Sequence, residues 1–136
     1  MKILNLFIAL LMLATLSASA QKSIYAGFPE SFESPDTSAK AHYKKDMATL
    51  KTGEWILDQA ILAGVPDRDR VATGKQSIRM NQNRSKDAYL TMNFDLTEGA
   101  SKVAVAYGSY YKDVASTFKL ESSTDGGNTW KQVGND

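Results

Sequence analysis

Aromatic side chains with the chemistry for ligand binding cluster between positions 107 and 111, in the sequence Tyr-Gly-Ser-Tyr-Tyr. Tyrosine rings at the end of a strand can stack on sugar rings while their hydroxyl groups form hydrogen bonds, and Trp55 offers a similar surface. Tyr107 and Trp55 also fit inward positions of predicted strands, where they would belong to the core instead. Tyr110 and Tyr111 are adjacent and cannot both point inward from one strand, so one of them is expected at the surface. The predicted ligand-binding residues are Tyr110, Tyr111 and Trp55.

Residue types suited to catalysis are sparse in this chain. There is no cysteine, which excludes thiol nucleophiles, thiolate metal sites and disulfides. The single histidine, His42, lies beside Tyr-Lys-Lys with no serine motif tied to it, and we interpret it as a surface residue. Glu33, Asp58 and Asp95 are candidates for a glycosidase pair, but such a pair is defined by a carboxyl separation that a sequence does not reveal. We therefore predict no catalytic residues and a protein that is not an enzyme.

The overall charge is nearly balanced, with 16 basic and 15 acidic residues in a chain of 136. This balance argues against a protein that mainly coats nucleic acid or anionic lipid. A basic surplus between residues 67 and 87 indicates either a site for a polyanion or, as we favour, a solvated loop surface. No aromatic residues are interleaved there, which argues against nucleic acid as a partner. The basic residues are Arg68, Arg70, Lys75, Arg79, Arg84 and Lys86.

A hairpin turn is the most specific motif of the chain. Residues 123–130 read Ser-Thr-Asp-Gly-Gly-Asn-Thr-Trp and match the Asp-box pattern at every fixed position. In this pattern the aspartate accepts hydrogen bonds from turn amides, the glycines allow positive φ, and the indole covers the turn. One copy cannot build the propellers in which such boxes repeat, so we assign it a structural role. The predicted turn residues are Ser123, Asp125, Gly127, Thr129 and Trp130.

Short β-strands are the elements that must position these side chains. The strongest pattern runs from Leu90 to Thr97, where alternation of apolar and polar residues indicates a half-buried antiparallel strand. Ala39, Tyr43, Met47 and Leu50 are spaced as one face of a helix. Residues 47–57 also fit a hairpin, and we favour the hairpin because strands dominate the rest of the chain. Shorter patterns predict strands near residues 31–33, 76–80, 103–107, 118–120 and 129–133. The predicted fold is all-β, an antiparallel β-sandwich of jelly-roll type.

The first twenty residues predict export. Met1–Ala20 contains one charged residue, Lys2, which is followed by an apolar run, and the segment ends in Ala-Ser-Ala. This is the pattern of a signal peptide, with cleavage expected before Gln21. The apolar run is shorter than the roughly 20 residues that a membrane-spanning helix needs. We therefore expect a single domain over residues 21–136, no membrane span after cleavage, and a periplasmic or extracellular location.

Several short segments together resemble a known family. The segments are Phe32-Glu33-Ser34, Gly53–Leu62, Gly74–Arg79, Leu90–Leu96 and Ser122–Gly134, in that order. They look like the jelly-roll accessory domain of secreted proteins of the Bacteroidetes type, often found beside a DNA/RNA non-specific endonuclease domain. The resemblance covers residues 32–134 and implies a fold similar to that of carbohydrate-binding modules. It also implies that Glu33 and Asp58 are candidate ligands of a structural calcium ion, although no cofactor is expected to be required.

The chain departs from that family in two respects. Nothing in it resembles a nuclease catalytic segment, which needs a histidine base and a metal-binding asparagine in a domain of its own. It also stops at Asp136, shortly after the hairpin turn, where family domains continue through further strands. We therefore expect an unclosed sheet edge at which a partner chain or a second copy can pair.

The sequence thus predicts an exported, non-catalytic binding or accessory module whose ligand is a carbohydrate or other cell-envelope material. Two alternatives stay open. In the first, the chain is the accessory portion of a secreted DNA/RNA endonuclease. In the second, it is a structural module that a partner chain completes.

Overall fold

The computed structural model describes residues 24–82 and 85–135, and their regular structure is almost entirely β-strand. A short 3₁₀ helix precedes the first strand, and no helix in these ranges has the length and apolar character of a membrane span. The predicted all-β class is confirmed. The predicted signal peptide, residues 1–20, and its cleavage site before Gln21 lie outside the described residues. The elements are the 3₁₀ helix Thr37–Lys40, β1 (Asp46–Leu50), β2 (Gly53–Asp58), β3 (Ala60–Ala63), β4 (Ser77–Met80), β5 (Tyr89–Met92), β6 (Leu120–Ser122) and β7 (Lys131–Val133).

The strands of the described residues form three small antiparallel sheets, ordered β1-β2-β5, β3-β4 and β6-β7. β1 and β2 are a hairpin in which Leu50 lies opposite Gly53. The hairpin predicted between residues 47 and 57 is confirmed, and the helical alternative is wrong. Gly53 has a φ of 138°, and a Cβ at this position would lie 2.9 Å from the ring of Phe94. Only glycine therefore fits this corner without a shift of the core.

Two of the sheets share one apolar core. Alternate residues of β1 and β2 face it, and Ala60 and Leu62 of β3 join them. Trp55 packs edge-on against Phe32 and Phe94, with ring centroids 6.1 Å and 6.0 Å away. The structure therefore supports the interpretation of Trp55 as a core residue. The buried members of the cluster are Ala48, Leu50, Trp55, Leu57, Ala60 and Leu62.

A single residue carries the chain from the first sheet to the second. Gln59 separates β2 from β3 with a φ of 51°, and its amide donates to the Tyr43 carbonyl at 2.9 Å. β3 was not predicted, because all four of its residues are buried and show none of the alternation of a half-exposed strand. β3 pairs with β4, which confirms the strand predicted near residues 76–80.

A buried lysine joins the 3₁₀ helix to β3. Lys40 has no exposed surface, and its Nζ donates to the carbonyl oxygens of Ala60 and Lys44, each at 2.9 Å, and to that of His42. The three carbonyls match the three donors of an ammonium group. Burial lowers the pKa of Lys40, and nearby carboxylates oppose this shift. Lysine side chains are ordinarily solvated. Here the Lys40 side chain is buried, and its hydrogen bonds connect the 3₁₀ helix to β3.

Two strands predicted from the sequence do not form. Residues 31–33 are irregular, since Phe32 has a φ of 62° and donates its amide to Glu30 Oε1 at 2.8 Å. Extended backbone requires a negative φ, so the strand prediction here is wrong. Residues 103–107 join no sheet in the described chain, and Tyr107 is 73% exposed. The predicted strand at 103–107 and the core position of Tyr107 are therefore wrong as well.

The strongest alternation in the sequence is only partly a strand. β5 ends at Met92, although the amide of Asn93 still donates to the Glu54 carbonyl at 2.9 Å. Phe94 still packs against the core, so its predicted inward position is correct although it lies beyond the end of β5. The turn expected after this segment is present, with the Gly99 amide donating to the Leu96 carbonyl at 2.8 Å.

The C-terminal part of the described chain carries little regular structure before β6. Residues 100–119 contain no strand, and the following hairpin places Leu120 opposite Val133. The strands predicted near residues 118–120 and 129–133 are confirmed, with shifted starts. Large apolar side chains are unusually exposed in this region. Those at least 41% exposed are Val103, Val105, Tyr107, Tyr111, Val114, Phe118, Trp130 and Val133.

Candidate ligand-binding site

The predicted tyrosines lie on a short loop, residues 109–113, that is tied to the loop after β3. The amide of Tyr111 donates to the Arg68 carbonyl at 2.9 Å. The Arg70 guanidinium donates to the carbonyls of Ser109 at 3.0 Å and Tyr111 at 2.9 Å. A guanidinium is planar and rigid, so two hydrogen bonds from one group fix both the position and the orientation of this tyrosine loop. The loop is therefore held in place although no sheet contains it.

Tyr110 packs on a cation that is itself fixed. The Arg79 guanidinium lies 4.7 Å from the centroid of the Tyr110 ring. Both carboxylate oxygens of Asp69 accept from Arg79, at 2.6 Å and 2.7 Å, and Asp69 also accepts the Val65 amide at 2.7 Å. The hydrogen bonds that Arg79 donates lower the pKa of Asp69 against the opposing effect of burial. The same bonds to the Asp69 carboxylate raise the pKa of Arg79. Half-buried Tyr110 thus belongs to the support of the site.

Tyr111 is the exposed member of the pair. It is 43% exposed and has a φ of 46°, a conformation that side-chain-bearing residues seldom adopt. The Arg68 guanidinium lies 5.5 Å from its ring centroid, and Lys112 Nζ lies 5.3 Å from it. Within residues 24–82 and 85–135, neither cation makes an ion pair. Tyr111 therefore combines an accessible ring with two cations whose charge is not neutralised by an acidic contact.

Trp55 does not join the tyrosines. It is 8% exposed in the core, and its Nε1 donates to Thr52 Oγ1 at 2.9 Å. Thr52 Oγ1 in turn donates to Glu30 Oε2 at 2.7 Å. The polar edge of the indole is therefore satisfied inside the protein, and its ring contacts are with phenylalanines.

The two candidate calcium ligands have different surroundings. Glu33 accepts the amide of Lys75 with both oxygens and that of Gln76 with one, all at 3.0 Å, so it closes the turn at Gly74. Asp58 is half-buried at the end of β2. Across the described ranges, no group of three or more His, Cys, Asp or Glu side chains is arranged to hold a metal ion. Calcium binding at Glu33 and Asp58 stays a prediction.

The five predicted turn residues come together at the β6–β7 hairpin. Asp125 Oδ1 accepts from Ser123 Oγ at 2.7 Å and from the Thr129 amide at 2.9 Å, and Oδ2 accepts from Thr129 Oγ1 at 2.5 Å. The Gly127 amide donates to Ser123 Oγ at 2.9 Å, and Trp130 Nε1 donates to the Gly127 carbonyl at 3.1 Å. The bonds from Thr129 and Ser123 lower the pKa of Asp125 to about 2. This arrangement stabilises a turn.

Sequence reasoning missed the cations beside Tyr111. The sequence places Arg68 only in a basic loop surface and assigns no role to Lys112. Lys112 is adjacent in sequence to Tyr111, so this pair offered a local signal. Arg68 and Arg79 reach the tyrosines only through the folded chain, and no spacing rule connects them.

No protein-family model matches the chain, and neither a curated protein nor a solved structure shows significant similarity to it.

Proposed function

We propose that this protein is an exported, non-catalytic binding module that holds a carbohydrate or other cell-envelope polysaccharide at Tyr111. One observation carries the proposal: Tyr111 presents an accessible ring on a braced loop, with the Arg68 guanidinium 5.5 Å and Lys112 Nζ 5.3 Å from its centroid. Aromatic rings bind sugars by stacking on their apolar C–H faces, while neighbouring polar groups bond to the hydroxyls. The bracing by Arg70 and by Tyr110 supports binding, since a preformed loop loses little entropy when a ligand arrives.

The β-sandwich of jelly-roll type is part of the same proposal. Residues of β1 and β2 share the core with Ala60 and Leu62 of β3, so the first two sheets contribute to one apolar layer. A shared layer between antiparallel sheets is what a sandwich requires. Export rests on the leader-like Met1–Ala20. The resemblance to the jelly-roll accessory domain adds the expectation of a binding or accessory role.

A glycan array with the purified protein tests the carbohydrate proposal. We expect wild-type protein to bind at least one envelope-type polysaccharide, and Tyr111→Ala to weaken that binding at least about tenfold, or about 1.4 kcal/mol. Tyr107→Ala is the matched control, because Tyr107 is an exposed tyrosine outside the braced loop. Equal loss in both variants, or no binding by the wild type to any glycan, would contradict the proposal.

A structural role in pairing with a second copy is the second candidate. The exposed apolar side chains of Val103, Val105, Val114 and Phe118 favour it, because pairing with a second copy would remove such side chains from water. Light scattering over a range of protein concentrations separates the two roles. A dimer that dissociates in Val105→Lys supports pairing, and a monomer at all concentrations excludes it.

A further inference from the structure

We propose that the Tyr111 site selects acidic polysaccharides, specifically sugar rings that carry a carboxylate. This inference rests on the proposed carbohydrate function and adds the ligand class. Its basis is the contrast between the cations of the site. Arg79 is neutralised by Asp69, and Arg70 is occupied by two backbone carbonyls, whereas Arg68 and Lys112 face the exposed ring of Tyr111.

The acidic residues near the site do not cancel these two charges by contact. Asp67 and Asp113 are the sequence neighbours of Arg68 and Lys112, and both are exposed. Neither forms an ion pair with a described residue. Arg68 and Lys112 are both exposed, so each presents its positive charge to solvent near the Tyr111 ring. A ligand that supplies a negative charge therefore gains more here than a neutral one.

A uronate ring matches this arrangement of groups. Its C–H face can stack on Tyr111, and its carboxylate can then accept hydrogen bonds from a guanidinium, an ammonium group or both. Arginine binds a carboxylate through two parallel hydrogen bonds, which are stronger than bonds between neutral groups. Lys112 adds a mobile point charge near the same ring. The ring supplies recognition of a sugar, and the cations supply the preference for acid.

The test compares an oligogalacturonate with its own methyl ester by titration calorimetry with the purified protein. The two probes have the same sugar backbone, and the ester differs by the methyl groups that remove the negative charge of the carboxylates. We expect the acid to bind at least about tenfold more tightly than the ester at low salt, with the difference shrinking as salt rises. The double variant R68Q/K112Q is expected to lose this preference, so that its affinities for the acid and for the ester become equal. K119Q, which removes an exposed lysine elsewhere, is the matched control and should keep the preference.

Each other outcome has a definite meaning. Equal affinity for acid and ester overturns the inference and leaves the carbohydrate function standing. No binding of either probe or of any array glycan overturns both. A single-stranded oligonucleotide that binds as tightly as the oligogalacturonate, with no loss in Tyr111→Ala, overturns the inference in favour of general polyanion binding. Thermal melts of every variant establish that a lost signal does not reflect unfolding.

Discussion

Arg79 holds both carboxylate oxygens of Asp69, at 2.6 Å and 2.7 Å, and the same guanidinium covers the ring of Tyr110. The side chains of Asp69 and Arg79 are only 3% and 19% exposed. This pair links β4 to the loop after β3 and, through Tyr110, to the loop that carries Tyr111. The position of Tyr111 thus depends, through Tyr110, on this ion pair.

Asp69→Asn should lower stability and change its dependence on pH. Arg79 holds the pKa of Asp69 below its ordinary value of 3.8, so the ionised carboxyl stabilises the folded state. That stabilisation is fully present above the unfolded value and is lost as pH falls through the lower, folded pKa. We expect a loss of about 3 kcal/mol at pH 7 and a flatter stability curve below about pH 4. Urea unfolding at several pH values measures both.

Asp67→Asn is the control for that measurement, since Asp67 is an exposed carboxylate two residues away. It should leave the stability at pH 7 within about 0.5 kcal/mol of the wild type. If the two variants lose the same stability, the Asp69–Arg79 ion pair does not stabilise the folded protein.

Lys40→Met should destabilise the protein although methionine fits the space of a lysine chain. The substitution leaves the carbonyls of Ala60, Lys44 and His42 without their shared donor. Buried acceptors that lose a partner cost about 1–3 kcal/mol, so we expect a loss of about 3 kcal/mol in urea unfolding. Lys45→Met, at an exposed lysine, should cost almost nothing. If Lys40→Met leaves the stability unchanged, the three carbonyls form hydrogen bonds with water in the variant.

Gly74→Ala should cost more than Gly99→Ala. Both glycines have positive φ, at 77° and 69°, so both variants carry a conformational penalty of about 1–2 kcal/mol. A Cβ at Gly74 would also lie 2.3 Å from the Glu33 carboxyl carbon, whereas a Cβ at Gly99 meets nothing within 4 Å. The difference between the two losses in thermal or urea unfolding therefore reports the Glu33 contact. Equal losses would show that Glu33 moves away without penalty.

Asp125→Ala should loosen the β6–β7 hairpin without unfolding the core. The Thr129 amide donates to the Asp125 carboxylate, and the Gly127 amide donates to the Ser123 hydroxyl. The whole turn is at the surface. We expect faster amide exchange at these two residues and an unchanged global unfolding midpoint. In the wild type the Thr129 amide resonance should titrate near pH 2, because the pKa of Asp125 is lowered to about 2. A midpoint near pH 4 would contradict the hydrogen-bond network.

The parts of the fold that sequence predicts are those with a local signal. Trp55 and Leu57 alternate with more exposed residues, so the β1–β2 hairpin was predictable from period two. β3 is buried at every position and offers no alternation, and Lys40 is buried by a carbonyl cage that its residue type does not suggest. The site divides in the same way. Tyr110 and Tyr111 are visible as a cluster, whereas the approach of Arg68 depends on a long-range backbone hydrogen bond.

Chemical-shift mapping of the labelled protein during a glycan titration tests the central claim most directly. We expect the amide resonances of residues 109–113 and of Arg68 to shift with a common saturation curve, while those of Thr129 and Gly127 stay fixed. Tyr111→Ala should abolish these shifts and Tyr107→Ala should preserve them. Shifts confined to the β6–β7 hairpin or to residues 103–107, or the same shifts in Tyr111→Ala, would contradict a binding site at Tyr111.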